Sequence, residues 1–280
     1  MNVKSLHIYP IKSSRGFSLD MARVEREGFE GDRRWVLINR DDRFISQRTH
    51  PDLAKLSLAI TSSGLSLTFD GDQLEIDNPD GNLANFTVWN DEATGYLADD
   101  SVNDWFSDRL GEPLRLAFMG KGAGRDHESS ATGEVLPVSY ADGYPILIAN
   151  EASLDALNDY LGSEEPDLPM ARFRPNIVVE GAEAWAEDGW ARVRIGDLEI
   201  DVIKPCTRCV MTTLNPMTGE DEGDAVMRAM IALRRSADKA LKGVLFGMNA
   251  APKNLREIRV GDRIEVLETR DPWPLVAPKH

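Results

Sequence analysis

Two cysteines, Cys206 and Cys209, stand three residues apart and are the only cysteines in a chain of 280 residues. A pair so close in sequence cannot cross-link distant parts of a fold of this size, so any role that it has is local chemistry. A thiolate is both a nucleophile and a ligand for soft metals. Three uses of this spacing are therefore open: a structural zinc site, a redox dithiol, and a pair of inert buried thiols.

The surroundings of the cysteine pair bear on each alternative. Structural zinc needs about four cysteine or histidine ligands, and the histidines of the chain form no second pair at ligand spacing. A redox dithiol usually opens a helix, whereas residues 210–214, Val-Met-Thr-Thr-Leu, predict a strand. Lys204 and Arg208 lie beside the thiols in sequence, and nearby cations favour a thiolate. These features favour a soft metal whose other donors come from an organic ligand, while two inert thiols remain an alternative.

Basic residues recur at the ends of predicted strands, although the net charge of the whole chain is -15. An arginine pairs with phosphate through two hydrogen bonds, and a lysine offers a point charge. An organic ligand with an anionic group would need such residues, but the spacing does not show that they converge. Each one taken singly is typical of a solvated surface. The residues concerned are Lys12, which is followed by Ser13, and Arg33, Arg34, Arg48, Arg172 and Arg174.

The acidic composition limits the partners. The chain has 47 Asp and Glu against 32 Lys and Arg, which argues against nucleic acid, because that affinity needs clustered positive charge. We see no basic leader and no run of about 18 apolar residues. We therefore expect a cytoplasmic protein of bacterial type that binds small molecules and does not bind a membrane.

Short strand-like segments separated by turns dominate the first hundred residues and return in the second half. They predict strands at 3–11, 35–39, 56–61, 65–69, 86–89, 114–118, 176–180, 191–195, 198–203, 244–246 and 263–267, with an apolar run at 145–149. Helices are predicted from a cap at Ser101 to Gly111, over 151–161 after a cap at Asn150, and over 224–235. The glycine-rich stretch 120–133 predicts a flexible linker, since it lacks the spacing of a phosphate loop. The fold class predicted is α+β and β-rich, with barrel-like lobes.

The ordered motifs of the chain resemble those of the MOSC-domain superfamily, and within it the group that contains the mitochondrial amidoxime-reducing component and its bacterial relatives. A single tetrapeptide of this kind is not specific, whereas the ordered set is. The motifs are Tyr9-Pro10-Ile11-Lys12-Ser13, Asp32-Arg33-Arg34-Trp35, Tyr140-Ala141-Asp142, Glu151-Ala152-Ser153-Leu154, Phe173-Arg174-Pro175-Asn176, Ile195-Gly196-Asp197, Cys206-Thr207-Arg208-Cys209 with Thr212-Thr213, and Leu245-Phe246-Gly247.

The resemblance implies an N-terminal β-barrel-like region over residues 1–118 and a MOSC β-barrel domain with peripheral helices over residues 119–270. It implies a molybdenum-molybdopterin cofactor between them, with Cys209 as the protein ligand to molybdenum. Gly143 and Tyr144 stand where eukaryotic members have hydroxyl residues, so cofactor contacts there would use the backbone or the Tyr144 hydroxyl. The other residues that the resemblance assigns to the cofactor are Lys12, Ser13, Arg33, Arg174 and Thr207, with Asn176, Arg208 and Asn249 as further candidates.

The activity that the resemblance implies is reduction of N-hydroxylated compounds such as amidoximes. Asp142 is a candidate proton donor, and a purely turn-forming role is its alternative. The sequence carries no C-terminal iron-sulfur domain, so we expect an external iron-sulfur or flavin electron-transfer protein to supply electrons. Two other functions stay open: a carrier of molybdenum cofactor or sulfur without turnover, and a β-rich module whose cysteines are structural.

Overall fold

The computed structural model describes residues 1–163 and 165–277. Strands make up 42% of it and three α-helices accompany them, so the predicted α+β, β-rich class is confirmed. Within the described residues, none of the sheets closes into a barrel through continuous pairing. An isolated bridge between Asn2 and Arg263 nevertheless brings the N-terminal strand of the largest sheet close to its last strand.

The elements follow one another in a chain of short strands. The strands are β1 (Asn2–Ile8), β2 (Phe17–Leu19), β3 (Met21–Glu25), β4 (Gly28–Phe29), β5 (Trp35–Ile38), β6 (Ser57–Ile60), β7 (Gly64–Phe69), β8 (Asp72–Asp77), β9 (Leu83–Val88), β10 (Asp91–Leu97), β11 (Arg115–Phe118), β12 (Arg125–Glu128), β13 (Val135–Val138), β14 (Ile146–Asn150), β15 (Ile177–Glu180), β16 (Trp190–Ile195), β17 (Leu198–Arg208), β18 (Val244–Pro252), β19 (Glu257–Arg259) and β20 (Ile264–Thr269). The α-helices are α1 (Asp100–Leu110), α2 (Glu151–Leu161) and α3 (Ala225–Arg234), and short 3-10 turns lie at Pro51–Lys55, Met170–Phe173, Ala186–Gly189 and Val210–Thr212.

The largest sheet combines strands from both ends of the chain, in the order β2-β1-β15-β14-β18-β17-β16-β20. The apolar side chains of β1 belong to the same core cluster as those of β15, with Leu6 opposite Ile177. The strands of a second sheet lie in the order β13-β12-β10-β11-β5, and β9 also pairs with β10. Pairing therefore crosses the predicted limits 1–118 and 119–270 in both directions, and the domain limits stay a prediction. No described helix has the length and apolar character needed to cross a bilayer.

The glycine-rich stretch 120–133 is only partly a loop, so the prediction of a linker is wrong over residues 125–128. Arg125–Glu128 forms β12, in which Arg125 lies opposite Val138 of β13, and β12 also pairs with β10 at Ala93. A strand in which apolar and polar residues do not alternate gives no periodic signal, so hydrophobic periodicity does not predict it. This one is held instead by its backbone ladder and by Arg125, a buried charged residue.

Helix ends and the segment around the cysteines also differ from prediction. Ser101 lies inside the first turn of α1, and Asp99 occupies the N-cap position, whereas the cap at Asn150 is confirmed. Strand β17 continues through Cys206 to Arg208 instead of ending at 203. The residues after Cys209 form a 3-10 turn and not a strand, because the Thr212 and Thr213 hydroxyls and N–H groups bond to carbonyls three residues earlier.

The Asn150 side chain both caps α2 and ties it to a neighbouring loop. Its Oδ1 accepts from the Ala152 N–H at 3.2 Å, and its Nδ2 donates to the Glu183 carbonyl at 2.7 Å and to the buried Glu187 carboxylate at 3.1 Å. We expect Asn150→Ala to lower the free energy of unfolding, measured in urea, by about 2 to 4 kcal/mol. The control is Asp99→Ala, since Asp99 makes no capping side-chain bond in the part of the chain described. An equal loss in both variants would contradict this assignment.

Candidate functional site

One pocket collects all twelve residues that the family resemblance assigned to the cofactor, to the metal or to proton transfer. Its empty volume is about 840 Å³. The predicted residues that line it are Lys12, Ser13, Arg33, Asp142, Gly143, Tyr144, Arg174, Asn176, Thr207, Arg208, Cys209 and Asn249. Their convergence is a structural finding, and their individual roles stay predictions.

Main-chain hydrogen bonds tie together the segments that form the pocket. The Lys12 N–H donates to the Trp35 carbonyl at 2.7 Å, and the Arg33 N–H donates to the Tyr9 carbonyl at 2.9 Å. The Tyr140 N–H in turn donates to the Arg33 carbonyl at 3.0 Å. Segments that follow β1, precede β5 and precede β14 are thereby fixed against one another. The side chains of the pocket lie at the ends of strands, and the packed core fixes the positions of those strand ends.

Unusual backbone geometry is concentrated at this pocket. Within residues 1–163 and 165–277, seven non-glycine residues have a positive φ, and four of them line the pocket. Such conformations are sparsely populated and persist only where surrounding contacts over-determine them. The four are Ser13, Arg33, Trp89 and Arg174. The fold therefore stores strain at the positions whose side chains point into the pocket.

The pocket is strongly cationic within an acidic protein. Among the described residues, five basic side chains and one carboxylate line it, which gives a formal charge of +4 in a chain whose net charge is -15. The Nε of Arg208 is buried and has no hydrogen-bond partner within the described residues, and a buried donor of this kind is expected to meet a ligand or water. The basic residues are Lys12, Arg33, Arg48, Arg174 and Arg208, and the carboxylate is Asp142.

Two of the arginines are packed on a single aromatic ring. The guanidinium carbons of Arg33 and Arg174 each lie 4.2 Å from the centre of the Tyr9 ring. Arg33 forms an ion pair with the buried Asp32, which also accepts a hydrogen bond from the Tyr9 N–H at 2.8 Å. Burial, together with the charge of Arg33, lowers the pKa of Arg174 to about 10. Burial raises the pKa of Tyr9 to about 12, so its hydroxyl stays protonated and the ring between the two guanidinium groups is neutral.

Lys12 and Asp142 form an ion pair at the open side of the pocket. The Lys12 Nζ lies 2.7 Å from the Asp142 Oδ1, and the side-chain exposures are 5% and 77%. Burial lowers the pKa of Lys12 to about 8, although Asp142 acts to raise it. Desolvation acts to raise the pKa of Asp142, but the charge and hydrogen bond of Lys12 outweigh it and hold that pKa well below its ordinary value. Near neutral pH, Lys12 is the protonated member of this pair and Asp142 is ionised. Asp142 would have to take up a proton before it could donate one, so its role as a proton donor stays a prediction.

Each cysteine accepts a hydrogen bond from a different arginine. The Arg48 Nη2 lies 3.0 Å from the Cys209 Sγ, whereas the Arg208 Nη1 lies 3.0 Å from the Cys206 Sγ. Arg208 bonds to Cys206 and not to its sequence neighbour Cys209, because side chains two apart on a strand share a face and adjacent ones do not. Lys204 is also directed elsewhere, since its Nζ donates to the Ser130 hydroxyl at 2.8 Å.

Sequence reasoning missed part of the pocket and included two arginines that lie outside it. Arg34 pairs with Glu25 and Glu27, and Arg172 is buried against the carbonyls of residues 212–214. Arg48 was only one of several basic residues, and nothing local linked it to a thiol 161 residues away. The other lining residues that were not assigned are Phe44, Ser46, Trp89, Ala141, Leu147, Phe173, Cys206 and Met211.

A second layer of polar residues supports the loop that carries Asp142. The Arg125 side chain donates to the carbonyls of Ala141 and Asp142, and it pairs with the Asp91 carboxylate through both Nε and Nη2. The same carboxylate oxygen lies 2.9 Å from the His127 Nδ1. A Cβ on Gly143 would lie 3.1 Å from the His127 Nε2. Through these contacts, strand β12 supports the loop that carries Asp142.

The Lys12–Asp142 pair gives a testable pH dependence. Lys12 carries its charge below a pKa of about 8, so the pocket loses one positive charge as the pH rises through that value. We expect Asp142→Asn to lower the pKa of Lys12 further, because the carboxylate that raises it is gone. The measurement is the Lys12 ¹³Cε chemical shift against pH in lysine-labelled protein. Lys55, paired with Asp52 on the surface, is the internal control, and an unchanged Lys12 titration would contradict the pairing.

The hydrogen bonds of Arg125 predict that replacing this side chain lowers the stability of the protein. Arg125→Met removes the donor to two carbonyls and leaves the Asp91 carboxylate with His127 alone of the two partners described above. We therefore expect the free energy of unfolding to fall by about 3 kcal/mol in urea denaturation. A matched control is Arg194→Met, which breaks an exposed pair with Glu265 and should cost less than about 1 kcal/mol. Similar losses in the two variants would show that Arg125 has no special structural role.

Comparisons with known proteins identify the family. Residues 1–113 match the family described as MOSC N-terminal beta barrel domain, and residues 136–265 match the MOSC domain. The chain is 34% identical over 282 residues to mitochondrial amidoxime-reducing component 1 of Mus musculus, with 95% of this chain and 82% of that protein covered. It is 31% identical over 283 residues to mitochondrial amidoxime reducing component 2 of Bos taurus, with 94% and 82% covered.

A solved structure and a human relative complete the comparison. Mitochondrial amidoxime-reducing component 1 of Homo sapiens is 30% identical over 281 residues, with 95% of this chain and 82% of that protein covered. The crystal structure of the YUAD protein from Bacillus subtilis matches with a TM-score of 0.43 and 11% identity, covering 94% of this chain and 93% of that one. On the sequence matches, this chain belongs to the MOSC-domain family that contains the mitochondrial amidoxime-reducing components.

Proposed function

We propose that the protein is a reductase of N-hydroxylated compounds that works with a molybdenum-molybdopterin cofactor held in the cationic pocket. The observation that carries the proposal is the joint presence of five basic side chains and an exposed thiol, Cys209, in one pocket of an acidic protein. The names of the relatives, amidoxime-reducing components, support the substrate class. Cytoplasmic location stays a prediction.

The residues present fit an anionic organic ligand. The buried Nε of Arg208 needs an acceptor, and Arg33 and Arg174 line the same pocket with charges that suit a phosphate. Ser13, Thr207, Asn176 and Asn249 would add uncharged donors and acceptors at the same pocket, while Gly143 can offer only its backbone.

The metal would depend on one protein thiolate. In the described part of the chain, no cluster of three or more His, Cys, Asp or Glu side chains is placed to hold a metal ion. The remaining donors at Cys209 would therefore come from the organic ligand, and thiolate donors suit a soft, redox-active metal. When bound, the molybdenum centre supplies two-electron oxygen-atom chemistry.

The reaction needs protons that this chain can deliver. Reduction of an amidoxime to an amidine consumes two electrons and two protons and releases water. Lys12, whose pKa is about 8, holds a proton near neutral pH, and its partner Asp142 lines the same pocket. We assign to this pair the delivery of a proton to the substrate oxygen. The electrons would come from an external iron-sulfur or flavin protein.

Turnover of a model substrate tests the proposal directly. Cofactor-loaded protein supplied with a chemical electron donor should convert benzamidoxime to benzamidine, measured by chromatography. Protein that contains stoichiometric molybdenum but gives no product would refute the reductase. If such protein instead transfers its cofactor to a cofactor-free acceptor enzyme, the carrier function would replace it. A purified protein that never takes up molybdenum would favour a β-rich module with structural cysteines.

The two cysteines should differ in their contribution. Cys209→Ser removes the proposed metal ligand and should lower benzamidoxime turnover by at least about a hundredfold, since ligand loss disrupts the metal site. Cys206→Ser is the matched control, because this thiol is less exposed and bonds to Arg208, and it should keep most of the activity. Molybdenum content measured by elemental analysis should fall in parallel with turnover, and the reverse ranking would overturn the ligand assignment.

A further inference from the structure

We propose that three side chains beside Cys209, namely Phe44, Arg48 and Trp89, form the substrate-recognition surface and select N-hydroxylated compounds with a flat, conjugated substituent. We call this surface the aromatic wall. The proposal rests on the proposed function, because it specifies which members of that substrate class the pocket prefers.

A chain of contacts connects the aromatic wall to the thiol. The Arg48 Nη2 lies 3.0 Å from the Cys209 Sγ, and the Arg48 guanidinium lies over the Trp89 ring at 4.9 Å from its centre. The Phe44 ring meets the Trp89 ring edge to face, with 4.9 Å between the centroids. A substrate that approaches Cys209 therefore passes along this surface.

The aromatic wall differs in chemistry from the rest of the pocket. Arg33 and Arg174 are packed on Tyr9, deep in the protein, and suit an anionic group. Trp89 in contrast keeps 39% of its surface exposed, although it is a large ring that lines a pocket. A flat partner could cover this ring by stacking, which gains contact area and the favourable geometry of offset rings. The binding groups for the anionic ligand and for the substrate are thus different side chains.

Trp89 is held in place before any ligand arrives. It begins the tight turn between β9 and β10 with φ at 59°, which is an unfavourable conformation for a bulky residue. Its Nε1 donates to the Asp142 Oδ1 at 3.1 Å. A ring that is already fixed loses little conformational entropy when a ligand stacks on it. The two-residue hairpin loop itself requires a positive φ at its first central residue, and this conformation fixes the ring at the pocket.

The charges at this surface also discriminate between substrate and product. Arg48 and Lys12 lie over the Trp89 ring at 4.9 and 5.8 Å from its centre, and both offer only donors. An amidoxime is neutral near pH 7 and presents an oxygen acceptor, whereas the amidine product is a cation. Asp142, whose Oδ1 accepts from both Lys12 and Trp89, offsets one of these charges. Two cations and one carboxylate leave a net positive charge here, which weakens binding of the cationic product relative to the neutral substrate.

The test compares two substrates in Trp89→Leu, using full-length protein loaded with cofactor. Benzamidoxime carries a flat ring, and acetamidoxime carries a methyl group in its place. We expect the KM for benzamidoxime to rise about tenfold and the KM for acetamidoxime to change less than about twofold. The kcat for both substrates should fall by one common factor, because Trp89→Leu also removes the Nε1 hydrogen bond to Asp142, the proposed proton donor. Trp89→Phe should recover most of the benzamidoxime affinity, because it restores a ring. Binding of benzamide, a flat neutral probe that does not turn over, should weaken about tenfold in calorimetry without a reductant.

Controls separate this inference from the proposed function. Tyr160→Leu removes an exposed aromatic ring on α2 that does not line the pocket, and it should change neither KM nor benzamide binding. If the wild-type protein reduces neither substrate, the proposed function fails. If it reduces both, and Trp89→Leu lowers kcat while raising neither KM or raising both KM values equally, Trp89 acts only by positioning Asp142 and the aromatic wall is refuted. Weak benzamide binding that is the same in the wild type and in Trp89→Leu would refute it as well.

Discussion

Like charges held close together repel, and this fold gathers five basic side chains around one pocket. The repulsion is partly offset by fixed anions, since Asp32 pairs with Arg33 and Asp142 pairs with Lys12. Burial lowers the pKa values of Lys12 and Arg174, and the charges of neighbouring arginines lower them further. The remaining positive potential is what an anionic ligand would neutralise. The rest of the structure has to keep these groups in place against their mutual repulsion.

The pocket can hold this charge because it lies at the seam between interleaved parts of the chain. Strand β1 pairs with β15, and residues just beyond these strands supply Lys12 and Arg174. The hydrogen bonds of Arg33 to Tyr9 and Tyr140 fix the loops that face them. A change at one strand end is therefore transmitted to several pocket residues. Positive φ angles at the pocket persist for the same reason, since neighbouring contacts over-determine them.

Much of the fold followed from local sequence signals, and the exceptions share a cause. The Asn150 cap and the glycine after Leu161 bounded α2 correctly, because capping chemistry acts within one turn. Strand β12 was missed in the glycine-rich stretch, because its stability comes from pairing with β13 and from the contact of Arg125 with Asp91. Those partners lie outside any local window. Strand β17 was extended through the cysteine motif by its pairing with β18.

The sequence by itself determined the β-rich class, because strand patterns and turn chemistry are properties of short segments. The family that its ordered motifs resemble implied twelve residues, and all of them line one pocket. Only the tertiary structure decided that Arg48, and not Arg208, bonds to Cys209. It alone also brought Trp89 beside Arg48. These contacts depend on which faces the strands present and on the packing of segments far apart in the chain, which no local pattern encodes.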